Sequence, residues 1–361
     1  MKKPKIIAFY LPQYHEIPEN SKWWGNGFTE WVNVKSAKPL FKSHYQPKIP
    51  YRNNYYDLSN VDVIFDQAKL ANYYGVDGFC FYHYWFEGKK LLEKPMEMLL
   101  EKPEIKINYC VSWANETWSR RWSGEEKKIL IKQTYGGEED WEKHLQYLLP
   151  FFRDPRYIKV DEKPVILLYR AFEIEKCEEM LVYWEERMME EGFNGIYIVE
   201  TLNSVQKKGY IEKSSAYVEF EPMYTIYGKL NYFIRSYRYC FNHLKLFNLG
   251  FRDYLSYDKV CKKIVSRQNN NDKKTYLGAF PSWDNTARKG KAGLVIKNSS
   301  PEKFKDFFSA QYRKSMELNN EFIFINAWNE WGEGAYLEPD EQYKFQILTS
   351  IKEVKEYGNE T

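Results

Sequence analysis

Long apolar runs are missing from this 361-residue chain. The first apolar stretch, Ile6 to Leu11, is six residues long, shorter than a signal-peptide core and far below the roughly 18 residues a membrane span requires. Cysteine is also scarce. Cys80, Cys110, Cys177, Cys240 and Cys261 are odd in number and form no C-x-x-C pair, which argues against a disulfide framework and a cysteine zinc site and fits a reducing, cytoplasmic setting. Of the five histidines, His15, His44, His144 and His243 stand at no metal-ligand spacing from carboxylates. A hydrogen-bonded structural role is expected for each, and no metal.

Phosphate-cradling loops are absent too. Arg288-Lys289-Gly290-Lys291-Ala292-Gly293 is not a P-loop, Gly332-Glu333-Gly334 lacks the third glycine of a dinucleotide fingerprint, and no Asp-x-Asp occurs. No cofactor and no nucleic-acid partner are expected. Neither a repeat at 20–50 residues nor a linker divides the chain. The whole of 1–361 therefore reads as one elaborated domain.

What the chain has in excess is aromatic surface: 12 Trp, 31 Tyr and 23 Phe, 18% of residues. Many sit beside polar residues, as sugar-binding clefts require, although aromatics also fill barrel cores. Eight β-rich runs alternate with helical or charged stretches: 5–11, 76–85, 105–115, 163–170, 195–202, 215–221, 276–284 and 322–331. Helices are expected at Asn60 to Tyr74, Asp140 to Phe152, Glu173 to Gly192 and Pro301 to Asn319, the last capped by Ser300 with Pro301 and Glu302 in its first turn. The pattern is that of an α/β protein, a (β/α)8 TIM barrel with long inserted loops.

Several strand runs change from apolar to polar and aromatic at their C-terminal ends: His83-Tyr84-Trp85, Trp113-Ala114-Asn115-Glu116, Glu219 with Glu221, Trp283-Asp284-Asn285 and Asn329-Glu330-Trp331. Barrel enzymes build active sites on that face. Glu116, His83, Tyr84 and Asp284 are candidates to hydrogen-bond sugar hydroxyls, Trp24, Trp85, Trp113 and Trp283 to stack on sugar faces, and Tyr10, Asn115, Asn329 and Trp331 to complete the mouth. Packing behind the site is the competing role for each. Glu219 and Glu221 share a strand face, so either one is a buried acid or both pair with basic residues.

Two insertions interrupt the barrel pattern. Residues 12–56 carry Trp23-Trp24-Gly25-Asn26-Gly27-Phe28-Thr29-Glu30-Trp31 and read as a loop over the mouth, with Glu30 a ligand or structural acid. Residues 227–274 hold eleven Lys and Arg against three acidic residues, with Tyr232, Phe233, Tyr237, Tyr239, Phe241, Leu244, Leu246 and Phe247 among them. This basic aromatic helical insertion suits peripheral docking at an anionic inner-membrane surface or a phosphate-bearing substrate; the alternative is a solvated helical pair.

In the last run, period-2 alternation puts Phe324, Asn326, Trp328 and Glu330 on one face and Ile323, Ile325 and Ala327 on the other. Glu330 then faces the barrel axis, and a tight turn at Gly332 brings Glu333 near. Glycosidic chemistry needs such a pair, one acid for the departing oxygen and one carboxylate at the anomeric side. The competing reading has Glu330 accepting structural hydrogen bonds and Glu333 solvated.

The runs Ala8-Phe9-Tyr10-Leu11-Pro12-Gln13-Tyr14-His15, Trp24 to Trp31, Gly78 to Phe86 and Asn329-Glu330-Trp331-Gly332-Glu333-Gly334 resemble WbsX-type proteins of bacterial surface-polysaccharide clusters. These are glycosyltransferases with a domain like glycoside hydrolase family 99, the endo-α-mannosidases. The resemblance implies a (β/α)8 barrel in which Glu330 engages the sugar 2-hydroxyl as a base toward an anhydrosugar intermediate and Glu333 is the general acid/base. Gly332 departs from the histidine common there, which bears on the substrate. The function expected is transfer or cleavage of a glycosyl unit in O-antigen or capsule assembly on an oligosaccharide or lipid-linked glycan. The alternatives are a retaining endo-acting hydrolase or transglycosylase and a non-catalytic glycan-binding barrel.

Overall fold

The ring of strands begins with β1 (Lys5–Tyr10) and continues through β2 (Gly78–Phe86), β3 (Asn108–Trp113), β4 (Lys163–Leu168), β5 (Tyr197–Leu202) and β6 (Ala216–Glu219), each parallel to the next. The seventh strand, β7, is in two pieces. Lys274–Tyr276 pairs with β6, and Gly278–Ala279 pairs with β8 (Phe322–Ile325). β8 returns to β1 with Phe322 opposite Lys5, so the two halves of β7 close an α/β barrel of the expected (β/α)8 kind. The computed structural model describes residues 3–119, 129–229, 254–269 and 271–357.

Both faces of these strands are covered, which is why β2 can be buried along its full length, Gly-Phe-Cys-Phe-Tyr-His-Tyr-Trp-Phe. Phe9 meets Tyr82 and Phe324 of the neighbouring strands β2 and β8, and Phe220 just past β6 across the ring, at centroid distances of 5.8, 5.6 and 5.0 Å. The contact with Phe220 crosses the ring, so these side chains fill the barrel interior. Their immediate neighbours face the helices: Tyr10 packs on Phe79 and Phe81 and donates to Gln67 of a surrounding helix at 2.6 Å.

The helical expectations correspond to Val61–Tyr73, Glu138–Arg153, Cys177–Glu190 and Pro301–Glu317. Asn60 caps the first through the Asp62 amide. Ser300 caps the last by accepting from the Lys303 amide at 3.3 Å, an interaction worth about 1 kcal/mol. The third starts four residues later than its pattern suggests, because Lys176 takes a left-handed conformation with φ 54° and separates a short 3-10 turn from the helix.

Two strand expectations need correction. Run 276–284 is not one strand: Trp283–Asp284 leaves the barrel and pairs with Val295–Lys297, which also pairs with Tyr254–Ser256, in a separate small sheet. Run 322–331 stops as a barrel strand at Ile325. Asn329–Glu330 instead forms a short hairpin with Ala335–Tyr336. Residues 12–56 are not wholly loop; they contain the helices Pro18–Trp24 and Glu30–Ser36. Of the basic insertion 227–274, residues 230–253 and 270 lie outside the described residues, and with them all eight of its named aromatic and leucine side chains. No helix among the described residues is long and apolar enough to cross a membrane.

Candidate active site

A cleft of about 540 Å3 opens at the C-terminal end of the barrel. β2 feeds it through alternate residues. Tyr82 and Tyr84 line it, while His83 and Trp85 point outward. Outside the ring, His83 Nε2 meets His144 Nε2 at 2.8 Å, and Trp85 stacks on His144 at 4.5 Å. Burial pushes His83 down to about 3 and His144 well below the usual imidazole value, so this pair is a neutral packing unit. β3 repeats the pattern: Trp113 packs against His144 and Trp184 outside the barrel, whereas Ala114 and Glu116 reach the cleft.

The Glu330 hairpin sits where β8 ends. Asn329 anchors it by accepting from the Leu11 amide at 2.7 Å and donating to the Leu11 carbonyl at 2.9 Å. Tyr14 donates to the Asn329 carbonyl and accepts from the Trp331 amide. Trp331 stacks on Tyr336 at 3.8 Å and donates to Glu338 at 2.6 Å. With this backbone fixed, Glu330 and Glu333 both line the cleft.

Arg288 joins the two carboxylates. Its Nη2 donates to Glu330 and its Nη1 to Glu333, each at 2.8 Å, while Nε donates to Glu30 at 2.7 Å. One rigid fork therefore fixes three acids, a geometry for which arginine is suited and lysine is not. The Glu330 side chain is 7% exposed and that of Glu333 23%, so Glu333 is the more open to an incoming group. Glu30 is fully buried behind Arg288 and does not line the cleft.

Gly332 makes this cluster possible in a way the sequence pattern did not suggest. The left-handed residue of the turn is Gly334, with φ 59°, not Gly332. At Gly332 a Cβ would stand 1.8 Å from Glu30 Oε1 and 2.8 Å from Arg288 Nε. The missing side chain is the space that Glu30 occupies.

Electrostatics separates the acids. Burial pushes Glu330 up to about 8; Arg288 opposes that shift, and the charges of Glu333 and Glu30 add to it. Burial also raises Glu30 against the pull of Arg288. Burial disfavours the Arg288 charge, but Glu30, Glu330 and Glu333 outweigh it and keep the guanidinium protonated. Tyr82, Tyr84 and Tyr169, raised by burial and then by nearby acids, stay neutral phenols able to donate.

Of the residues singled out in the sequence, the cleft brings together Glu330, Glu333, Trp24, Tyr84, Glu116 and Trp283. The structure places the others elsewhere. Tyr10, His83, Trp85 and Trp113 face the helix layer because they have the wrong strand parity. Asn115 is buried and braces the chain, donating to the Arg170 carbonyl and accepting from the Arg170 amide at 2.9 Å each. Asn329 and Trp331 hold the hairpin. Asp284 accepts from His44, Gln46 and Thr286 on the far side of Trp283. Glu219 and Glu221 are paired, both with Arg267. The sequence reading missed Arg288, Tyr82, Tyr169 and Trp118, all in the cleft wall. Tyr82 carried a signal, since it lies two residues from Tyr84. Arg288 carried none beyond its charge.

A sequence profile described as "Glycosyltransferase WbsX" matches residues 6–351. The chain belongs to the WbsX glycosyltransferase family. Two relatives, both described as uncharacterized protein WxcX, come from strains of Xanthomonas campestris pv. campestris and are 34% and 33% identical over 352 residues. Each match covers 96% of this chain and 49% of the relative, so the chain spans about half the length of the curated relatives it matches. Among solved structures, the family 99 endo-α-mannosidase from Bacteroides thetaiotaomicron aligns over 100% of this chain and 99% of its own, with a TM-score of 0.57 at 11% identity. A glycoside hydrolase-like protein aligns over 98% and 94%, with a TM-score of 0.62 at 13% identity. These similarities concern the fold, which this WbsX-family chain shares along its whole length.

Proposed function

We propose that this WbsX-family chain moves or cleaves a glycosyl unit during bacterial surface-polysaccharide biosynthesis, with Glu330 and Glu333 as the catalytic carboxylates. The observation that carries the reading is the pair itself, held by one guanidinium at the wall of an aromatic cleft. A sugar laid between Tyr84, Trp24 and Trp283 would meet apolar faces for its C–H surfaces and phenols for its hydroxyls. Glu333, the more exposed acid, is placed to protonate the departing oxygen and then to take a proton from the acceptor. Glu330, buried and raised to about 8, is a stronger base than an ordinary carboxylate once ionised. That strength suits removal of a hydroxyl proton next to the anomeric centre, the role the family 99 resemblance suggests.

Arg288 keeps the charge of the cluster tolerable and fixes both carboxylates before substrate arrives, so no reorganisation is needed at the transition state. The same carboxylates serve a hydrolase if water is the acceptor and a transferase if a sugar hydroxyl is. Mass spectrometry of products from a lipid-linked oligosaccharide, with and without nucleotide sugars, separates these. Extension by one residue only with nucleotide sugars is the expected result. Shortening or rearrangement without them would make the chain a hydrolase or transglycosylase, and an unchanged oligosaccharide under all conditions would contradict both.

A further inference from the structure

A second cavity, of about 440 Å3, lies behind the active-site cleft. Trp283 lines both spaces, and Glu333 borders the cleft where Gly334 borders the second cavity, so the same two chain segments wall them apart. Four lysines line this cavity: Lys42, Lys48, Lys297 and Lys344. Among the described residues none of the four has a carboxylate at ion-pair distance, although such pairs hold many lysines elsewhere on the protein. Lys48 lies 4.5 Å over the Tyr45 ring, and Lys297 is held between Phe41 and Tyr254 at 3.9 and 3.8 Å. Aromatic faces position these ammonium groups without neutralising them.

The cavity's acids are occupied by neutral donors. Asp284 accepts from His44 Nε2 and Gln46 Nε2 at 2.8 and 2.7 Å and from the Thr286 hydroxyl at 2.6 Å. His44 Nδ1 accepts from the Leu40 amide, which leaves its proton on Nε2 for Asp284. Asp340 accepts from the Tyr336 hydroxyl and the Tyr343 amide, and Glu338 from Tyr56, Gln67 and Trp331. Burial disfavours the Lys48 charge, and Asp284 and Asp340 recover only part of it through space; among the described residues the four lysines have no bonded counter-charge. Ser299 and Ser300 also line the cavity, so the N-terminus of the 17-residue helix Pro301–Glu317 borders it and adds positive potential.

We propose that this cavity binds a phosphate group. Compact ammonium donors from separate chain segments suit a tetrahedral dianion, whereas a planar carboxylate is best met by an arginine fork, and among the described residues no arginine lines the cavity. The phosphate comes either from solution or from a sugar or nucleotide phosphate ester. The proposal stands on the cavity and not on the chemistry assigned to Glu330 and Glu333.

Isothermal titration of the purified chain with inorganic phosphate, mannose 1-phosphate and uridine diphosphate tests it. At least one is expected to bind at low salt with a dissociation constant below about 1 mM. Lys48→Met with Lys297→Met should weaken that binding by roughly tenfold or more, since each removes a charged donor. Glu333→Gln should leave it unchanged, which separates this proposal from the catalytic one. Tighter binding of an ester than of inorganic phosphate names the ester as the source; equal binding names free phosphate. If the double variant does not fold, Lys297→Gln alone carries the same expectation. Absence of binding by all three probes, or equal binding by a folded variant, overturns the proposal.

Discussion

At the residue scale, the site depends on one side chain that is absent and one that is shared. Alanine at Gly332 would drive a methyl into the Glu30 carboxylate. Gly332→Ala should cost about 1–3 kcal/mol by overpacking, measured by denaturant unfolding. It should also lower activity by displacing Glu30 and with it Arg288; unchanged stability and activity would mean that the cluster is not tightly set. Burial of Glu330 and Glu338, pushed up to about 8 and about 7, has a pH consequence. From the ordinary carboxylate range up to about 8 the unfolded chain has released protons that the folded chain retains. Stability contributed by the protonated forms is therefore lost as pH rises through that window. Glu330→Gln should accordingly raise the melting temperature more at pH 8.5 than at pH 5.5, and a constant difference would contradict the raised value.

At the element scale, strand parity decides which of the expected residues reach the cleft. Tyr84→Phe should raise KM for the glycan, because Tyr84 lines the cleft with a neutral phenol. Trp113→Phe should lower stability with little change in KM, because that indole packs against His144 and Trp184 outside the ring. A KM change confined to the Trp113 variant would reverse this assignment, and steady-state kinetics reads both. The eight-run alternation and the Ser300 cap were legible in the sequence because apolar periodicity and capping chemistry are local. Which face of β2 and β3 pointed inward was not, since both faces of these strands are buried and both carry aromatics. The departure of Trp283–Asp284 from β7, the end of β8 at Ile325 and the meeting of Arg288 with Glu30 are products of long-range packing. No local signal announces an ion pair 258 positions apart in sequence.

At the scale of the whole molecule, the barrel brings Glu330, Glu333 and Arg288 to one mouth with the insertion residues Trp24 and Glu30, one in the cleft and one behind it. The paired glutamates were legible because they sit three residues apart in one motif; the arginine that unites them was not. Glu330 and Glu333 are proposed to act on the glycosyl bond in this WbsX-family chain. The most direct test is single-turnover measurement on a lipid-linked oligosaccharide with Glu330→Gln and Glu333→Gln, beside a binding titration of each. Loss of turnover by roughly 100-fold or more in both, with glycan binding retained and both variants folded, is the expected result. Near-wild-type turnover in either variant would contradict the claim.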